Sequence, residues 1–309
     1  MEIERELASV SPQKETIVTI GVFDGVHAGH RYLLDRLRRQ ATNDGLLSGM
    51  VTFDPHPQSV LHPDKPVPYL SNLEDRIKAF RGLGIDIIAV LTFSSEVAQL
   101  TAQQFVSLVK KQLMMRRLMV GPDFALGRDR HGNAQLLRAL GREIKFSVEI
   151  IPPYTIDGEV VSSTLVRQAL AQGDMEKVTR LMGHYFRLGG KTITSDRRGR
   201  VLGFPTANLD IEPQQALPPN GVYATLTYIN GKGLPSATNI GVRPTFGGRK
   251  KLLETHLLNY DGDLHGREMK VEFVKKLRHE LRFASADELK AQIARDVREV
   301  EAIFARGLE

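Results

Sequence analysis

The sequence predicts an α/β domain built on a parallel sheet, followed by a small antiparallel β-barrel that ends in a helix. Three observations carry this reading. From Thr16 to about Gly183, short β-rich runs alternate with amphipathic stretches, which is how a parallel sheet with crossover helices is written. After Gly183 the glycines and prolines crowd together and strands follow one another directly, as in a small antiparallel barrel. The final segment repeats apolar residues at helical spacing.

In the first part, residues 17–23, 50–53, 85–93, 118–121 and 146–151 are short runs rich in β-branched and aromatic residues, bounded by turn formers. The stretches between them carry helical faces. Leu33, Leu34, Leu37 and Ala41 form one, and Leu73, Ile77 and Phe80 another, with Ser71 and Glu74 at capping-box spacing and Gly84 as a stop. Thr101 and Gln104 repeat the start signal, and Asn133 opens a short helix through Leu136, Leu137 and Leu140 that Gly141 is expected to end. In the second part, strands are expected at 223–229, 253–260 and 269–274. A closing helix is expected from Ser285 and Glu288 through Leu289, Ile293, Val297 and Val300. The boundary falls near 183–187, giving domains 1–184 and 185–309.

A chain of 309 residues that is 41% hydrophobic and 25% charged has room for two cores. The absence of cysteine excludes a disulfide framework, a thiolate metal site and a cysteine nucleophile, and suits a reducing cytoplasm. The first twenty residues hold Glu2, Glu4, Arg5, Glu6, Lys14 and Glu15, unlike a signal peptide, and no later stretch resembles a membrane span, so a cytoplasmic chain without a membrane partner is expected. A net charge of +6 favours anionic partners, whether nucleic acid or nucleotides, or serves solubility alone.

The run Thr19-Ile-Gly-Val-Phe-Asp-Gly-Val-His-Ala-Gly-His30 sits where the first strand gives way to the first helix, the place where parallel α/β sheets bind ligands. Gly21 and Gly25 let backbone approach a phosphate, and the helix beginning around Gly29 offers unpaired amides and a positive dipole end to an anion. His27 and His30, three apart, can both face a nucleotide and donate to the charge that grows on the α-phosphate as pyrophosphate leaves. Two rivals stand beside this reading: an ordinary helix start with one packed and one exposed imidazole, and a metal site.

His27-Ala28-Gly29-His30 resembles the His-x-Gly-His hallmark of the nucleotidyltransferase superfamily. In that superfamily a Ser/Thr-rich turn with a nearby Arg, opening a late helix, holds the triphosphate, and Ser162-Ser163-Thr164-Leu165-Val166-Arg167 has that form. By itself such a turn is also a good helix cap. The wording around these hallmarks, Phe23-Asp24-Gly25-Val26-His27, Thr52-Phe53-Asp54-Pro55-His56-Pro57 and Gly121-Pro122-Asp123-Phe124-Ala125-Leu126-Gly127, is similar to bacterial flavin synthetases. The resemblance implies an adenylyltransferase that joins AMP from ATP to FMN, giving FAD. The flavin would lie near Pro55, His56, Asp123 and Phe124, and the nucleotide by Phe23 and Asp24. Phe124 or Phe53 could stack on the flavin ring, with core packing favoured for Phe53. Pro122 departs from the acidic or polar residue common in the family.

The second part lacks a Walker-type phosphate loop and any protein-kinase signature. Arg198-Gly-Arg-Val-Leu-Gly-Phe-Pro-Thr-Ala-Asn208 combines glycines, basic side chains and the hard oxygens of Thr206 and Asn208, two apart on what would be one strand face; such oxygens suit Mg2+ bridging phosphates. Read alone it is also a Gly/Pro turn entering a strand. With Gly221-Val-Tyr-Ala224, Asn239-Ile-Gly-Val-Arg-Pro-Thr-Phe246 and Glu254-Thr-His256 in the same order, it resembles the riboflavin kinase barrel. The resemblance implies that Gly203, Thr206 and Asn208 meet ATP and Mg2+, and that Glu254 takes the proton from the riboflavin 5′-hydroxyl. Arg278 and Phe283 would help close the flavin pocket. His265 stands where the family often has tyrosine.

Taken together, the resemblance implies one chain that phosphorylates riboflavin to FMN and adenylylates FMN to FAD, with small-molecule partners. A barrel that only senses flavin, or an RNA-binding protein, are the alternatives. Against the latter stand the lack of an RNA motif and an aromatic content of 6%. Oligomeric state leaves no mark in the sequence.

Overall fold

The structure, a computed structural model, describes residues 2–193, 203–245 and 248–307. Arg198, Gly199 and Arg200 of the basic glycine run lie outside the described residues. The chain divides into two compact units, Met1–Ser163 and Thr164–Glu309.

The first unit runs α1 (Glu2–Ser9), β1 (Thr16–Ile20), α2 (Ala28–Asp44), β2 (Leu47–Asp54), α3 (Pro57–Leu61), α4 (Leu73–Gly82), β3 (Ile87–Thr92), α5 (Ser95–Ala98), α6 (Ala102–Gln112), β4 (Met115–Val120), α7 (Ala134–Ile144) and β5 (Ser147–Ile150), then a short hairpin of β6 (Thr155–Ile156) and β7 (Glu159–Val160). The five main strands form one parallel sheet in the order β3-β2-β1-β4-β5. Period-two alternation sorts their side chains to two faces. Ile17, Met50 and Met119 face α2 and α4, where Leu34, Leu37 and Phe80 are fully buried. Val18, Ile20, Val51, Leu118 and Val120 face α1, α6 and α7. Each such fully buried aliphatic contributes about 1.5–3 kcal/mol, so the helices are held by their apolar stripes more than by propensity.

Several local signals act as expected. Thr101 and Gln104 form a complete capping box at α6, and the Asn133 side chain accepts from Gln135 N and Leu136 N at 3.1 Å at the start of α7. Others are displaced. Asn72, not Ser71, caps α4, accepting from Asp75 N at 2.8 Å, because the Ser71 hydroxyl accepts from Gly25 N at 2.9 Å instead. Gly141 does not end α7; it lies within the helix, where an added Cβ would sit 2.5 Å from Phe146 O, and the helix ends at Lys145. Helix α1 was not expected at all, yet Ile3 and Leu7 are buried in the core it shares with β3 and α6.

The second unit holds α8 (Ser163–Gln172), α9 (Met175–Met182), β8 (Phe186–Ile193), β9 (Ala207–Leu209), β10 (Gly221–Ile229), β11 (Lys232–Thr245), β12 (Gly248–Leu257), β13 (Glu268–Arg278) and α10 (Ala286–Ala305). The six strands close into a barrel in the order β10-β11-β12-β9-β8-β13, each pair antiparallel. Closure leaves no open edge. Strands β8 and β11 were not read from the sequence, whereas β9 is the strand expected to carry Asn208. Ser285 caps α10 as expected, and Val300 packs on Ala224, Ala237 and Leu258 outside the barrel.

The interior is part apolar, with Phe186, Leu188, Val271 and Phe273, and part hydroxylic. Thr225, Thr227, Ser236, Thr238 and Thr255 are all fully buried and joined in one hydrogen-bonded chain: Thr227 to Ser236 at 2.6 Å, Ser236 to Thr225 at 2.8 Å, Thr225 to Thr238 at 2.7 Å and Thr238 to Thr255 at 3.0 Å. Each hydroxyl can both give and take, so the layer satisfies itself in a dry environment.

Candidate functional site

In the first unit, β1 has β2 on one side and β4 on the other, so strand order reverses between β1 and β4. Ligands in open parallel sheets sit outside the carboxyl ends of the strands at such a reversal. Two predicted segments leave the sheet there. The turn 21–27 follows β1, and 121–127 follows β4.

The turn after β1 is built with strain. Phe23 at φ 54° and Val26 at φ 42° occupy the left-handed region, which costs of order 1–3 kcal/mol per non-glycine residue and which a β-branched side chain resists most. It persists because the surroundings fix it. The buried Asp24 carboxylate accepts from Leu70 N at 2.9 and 3.0 Å and from Ser71 N at 3.1 Å, while the Ser163 hydroxyl donates to Asp24 O at 3.0 Å. Gly25, at φ 79°, lies so close to Leu70 that a Cβ would meet its side chain at 3.0 Å. A Cβ on Gly21 would meet the Phe23 ring at 2.9 Å, and one on Gly29 would meet Val161 O at 3.1 Å and His27 Cε1 at 3.2 Å, so tight packing explains all three glycines.

His27 caps α2. Its Nδ1 accepts from His30 N at 3.3 Å, so the neutral ring carries its proton on Nε2. The two imidazoles stack at 3.5 Å between centroids, tilted by 18°. Phe23, buried in the core, meets His30 edge-on at 5.0 Å and backs that ring. The start of α2 thus presents two rings held side by side with the first-turn amides, where a helix dipole favours an anion. Ser162 immediately precedes α8, Ser163 is its first residue, and Thr164 and Arg167 occupy its opening turns three residues apart.

The predicted flavin segment after β2 is organised by hydrogen bonds. The Asp54–Pro55 peptide is cis, Pro55 is exposed, and His56 is buried, its N–H donating to the Tyr69 hydroxyl at 2.7 Å and its Nδ1 accepting from Gln58 N at 3.1 Å. Phe53 packs on Phe93 and Phe105, a core role as favoured above. After β4, Asp123 is exposed, and Phe124 lies half-buried against the core. Pro122 is exposed in the same turn.

In the barrel, Asn208 on β9 pairs in register with Glu254 on β12, and Glu254 pairs on its other side with Asn239 on β11. Three polar residues therefore stand in one row on one face across three strands. Asn208 is 2% exposed, yet its Oδ1 has no hydrogen-bond partner among the described residues. A buried amide oxygen left so is an open position for a cation or donor. Thr206, half-buried, stands two residues earlier, and Gly203 turns at φ 87°. His256 fixes this approach: its ring lies edge-on to Phe204 at 5.4 Å, and its Nδ1, which must carry the proton because a carbonyl only accepts, donates to Pro205 O at 2.8 Å.

Arg278 is held by Asp296 of α10, Nε to Oδ1 at 3.0 Å and Nη2 to Oδ2 at 2.8 Å, with its guanidinium 5.9 Å from the Phe283 ring. This ion pair ties α10 to the end of β13. His265 sits in an exposed turn, its N–H donating to Asp263.

Both halves match known families. The family model described as FAD synthetase matches residues 9–165, and that described as riboflavin kinase matches residues 182–304. The chain is 41% identical over 290 residues to the bifunctional riboflavin kinase/FMN adenylyltransferase of Escherichia coli, covering 93% of this chain and 92% of that protein. The chain belongs to this bifunctional family. The namesakes from Pseudomonas fluorescens, 39% identical over 99% of this chain and 98% of theirs, and from Listeria monocytogenes, 32% identical over 94% and 93%, agree. A solved structure described as a macrolide-efflux protein from Streptococcus pneumoniae has the same fold, with a TM-score of 0.89, 27% identity and 97% of each chain covered. That description and the curated names differ; membership rests on the sequence matches. No described helix is long and apolar enough to cross a membrane.

Sequence reasoning missed several residues that shape these sites. Ser71 and Tyr69 hold the strained turn and the His56 segment, yet lie 13 or more positions away in the chain. Asn239 was read only as part of a motif; its place beside Glu254 follows from a strand that the sequence did not reveal.

Proposed function

We propose that the two steps of flavin synthesis are carried by the two residue sets just described. In the first unit, a phosphate oxygen of FMN attacks the α-phosphorus of ATP, the bond to the bridging oxygen breaks, and pyrophosphate leaves. His27, through Nε2–H, and His30 donate to the charge that develops, with the first-turn amides of α2 beside them. Gly21, Gly25 and Gly29 keep that turn tight. Asp24 and Phe23 serve from behind, one tethering the turn and the other backing His30. Ser162, Ser163, Thr164 and Arg167 hold the remaining phosphates, and Pro55, His56, Asp123 and Phe124 border the flavin.

In the barrel, the riboflavin 5′-hydroxyl attacks the γ-phosphorus of ATP, its proton passes to the Glu254 carboxylate, and ADP leaves. The Asn208 Oδ1, with Thr206, fits Mg2+; when bound, the cation neutralises phosphate charge. Gly203 lets backbone approach the nucleotide, and Phe283, with Arg278 beneath it, borders the second flavin. We assign one activity to residues 1–184 and the other to 185–309. ATP, riboflavin and FMN are the partners, and two ATP-consuming steps suit the cytoplasm.

The observation that carries this reading is the stacked His27–His30 pair at the start of α2, where strand order reverses. Products formed from riboflavin, ATP and Mg2+ test it. His30→Ala is expected to spare FMN formation and lower FAD formation about 100-fold or more, the scale of losing one donor to a developing charge. Glu254→Ala is expected to abolish riboflavin phosphorylation while supplied FMN still becomes FAD. Equal loss of both activities in either variant, or no pyrophosphate when FMN and ATP are supplied, refutes the assignment.

A further inference from the structure

Helix α4 contributes a side chain that the chemistry above leaves unexplained. Arg76 is 0% exposed. Its Nη1 donates to Val22 O at 2.9 Å and to Phe53 O at 3.4 Å, its Nη2 donates to Asp54 Oδ1 at 3.1 Å, and its Nε has no hydrogen-bond partner among the described residues. As a fold stabiliser this is a poor bargain. A buried guanidinium must be desolvated, one N–H is left unused, and a well-packed apolar side chain of similar volume would hold a helix to a sheet as well or better.

What the cation does achieve is positional. Val22 is the residue before Phe23, where the chain enters the left-handed turn that leads to His27 and His30. Phe53 and Asp54 end β2 and lead directly into Pro55 and His56. One planar fork therefore grips the chain at the entry to both segments, and the Thr52 hydroxyl adds a second donor to Val22 O at 3.0 Å. Buried, multiply bonded and rigid, the fork fixes the spacing of the two segments more tightly than packing of loops would.

We infer that Arg76 is a positioning residue for adenylyl transfer, setting the distance and angle between the turn that carries the ATP α-phosphate and the segment that borders FMN. This rests on the assignment of those two segments made under Proposed function. The fork touches neither reactant. It acts through Val22 on one side and Asp54 on the other, so its loss misaligns two bound substrates without removing a contact to either.

The test is steady-state kinetics of both activities in the full chain. Arg76→Lys keeps the charge but not the two-directional fork. It is expected to lower kcat for FAD formation about 100-fold, the scale of an ångström misplacement, with KM for FMN and for ATP changed much less. Riboflavin phosphorylation by the same preparation stays at the wild-type rate. Thr52→Val, which leaves Arg76 intact and removes only the second donor to Val22 O, is expected to give a smaller loss of the same kind, and remains informative if Arg76→Lys fails to fold. A folded Arg76→Lys protein that makes FAD at the wild-type kcat overturns the inference, as does a loss shared equally by both activities or one confined to KM. If the wild-type chain itself releases no pyrophosphate from FMN and ATP, the underlying assignment is what fails.

Discussion

Replacing Asp24 with alanine separates two roles that the sequence could not tell apart. As a nucleotide ligand, its loss would raise KM for ATP and leave the fold alone. The geometry gives it another task, since its carboxylate receives Leu70 N and Ser71 N and so ties residues 70–71 to the strained turn. Leu70 is 1% exposed, so without the carboxylate its amide is stranded away from water, while Ser71 is half-buried and water can partly replace the acceptor. A stranded amide costs about 1–3 kcal/mol and the half-exposed one less, for a total near ~3 kcal/mol. That is roughly a 150-fold change in the unfolding equilibrium, and for a unit of this size a fall in midpoint of about 6–12 °C. Asp24→Asn, which keeps an acceptor, is expected to lose about a third as much. The assay is thermal inactivation of FAD formation, with riboflavin phosphorylation by the same chain as internal reference. If Asp24→Ala leaves the inactivation midpoint within about 1 °C of wild type and raises only the KM for ATP, the tether reasoning is wrong.

Two further outcomes follow from the barrel. Asn208→Ala removes the buried Oδ1 that lacks a partner and is expected to raise the Mg2+ concentration needed for half-maximal riboflavin phosphorylation at least about 10-fold, with FAD formation from supplied FMN unchanged; an unaltered Mg2+ titration contradicts the ligand role. Tyr223 is fully buried, its hydroxyl donates to Pro219 O at 2.5 Å, and burial pushes its phenol well above the ordinary value. Because the folded state holds the proton more tightly, its contribution is fully present below about pH 10 and drains away as pH rises beyond it. Tyr223→Phe should therefore lose about 1 kcal/mol at neutral pH yet show a shallower alkaline fall in denaturation midpoint; parallel pH profiles for the two proteins contradict this.

What the sequence made legible was local and periodic. The apolar stripe of α2, the capping box of α6 and the strand-to-helix turn with its two histidines depend on neighbours within a few residues, and they were read where they stand. Signals failed where a distant partner competed for the same atom. Ser71 had the spacing of a cap, but Gly25 claimed its hydroxyl from 46 residues away, and the cap moved to Asn72. Gly141 looked like a stop because nothing nearby announced that Phe146 O would press on it. Helix α1 has only Ile3 and Leu7 to bury, too few for a periodic signal, and exists through its seat in the core. Arg76 was invisible for the same reason, since a lone arginine on a helix reads as a solvated charge until the carbonyls it grips are known.

The hydroxyl chain inside the barrel has a consequence for assembly. Side chains alternate along β11, with Ser236 and Thr238 inward and Ala237 packed under α10. A slip of one residue would exchange the two sets. Ala237 and Asn239 would then face a lumen lined by Thr225, Thr227 and Thr255, whose hydroxyls would lose their mates while Ser236 and Thr238 met the apolar side of α10. A one-residue slip of β11 thus strands several hydroxyls at once and is disfavoured, which also keeps the neighbouring β12, and Glu254 on it, in register.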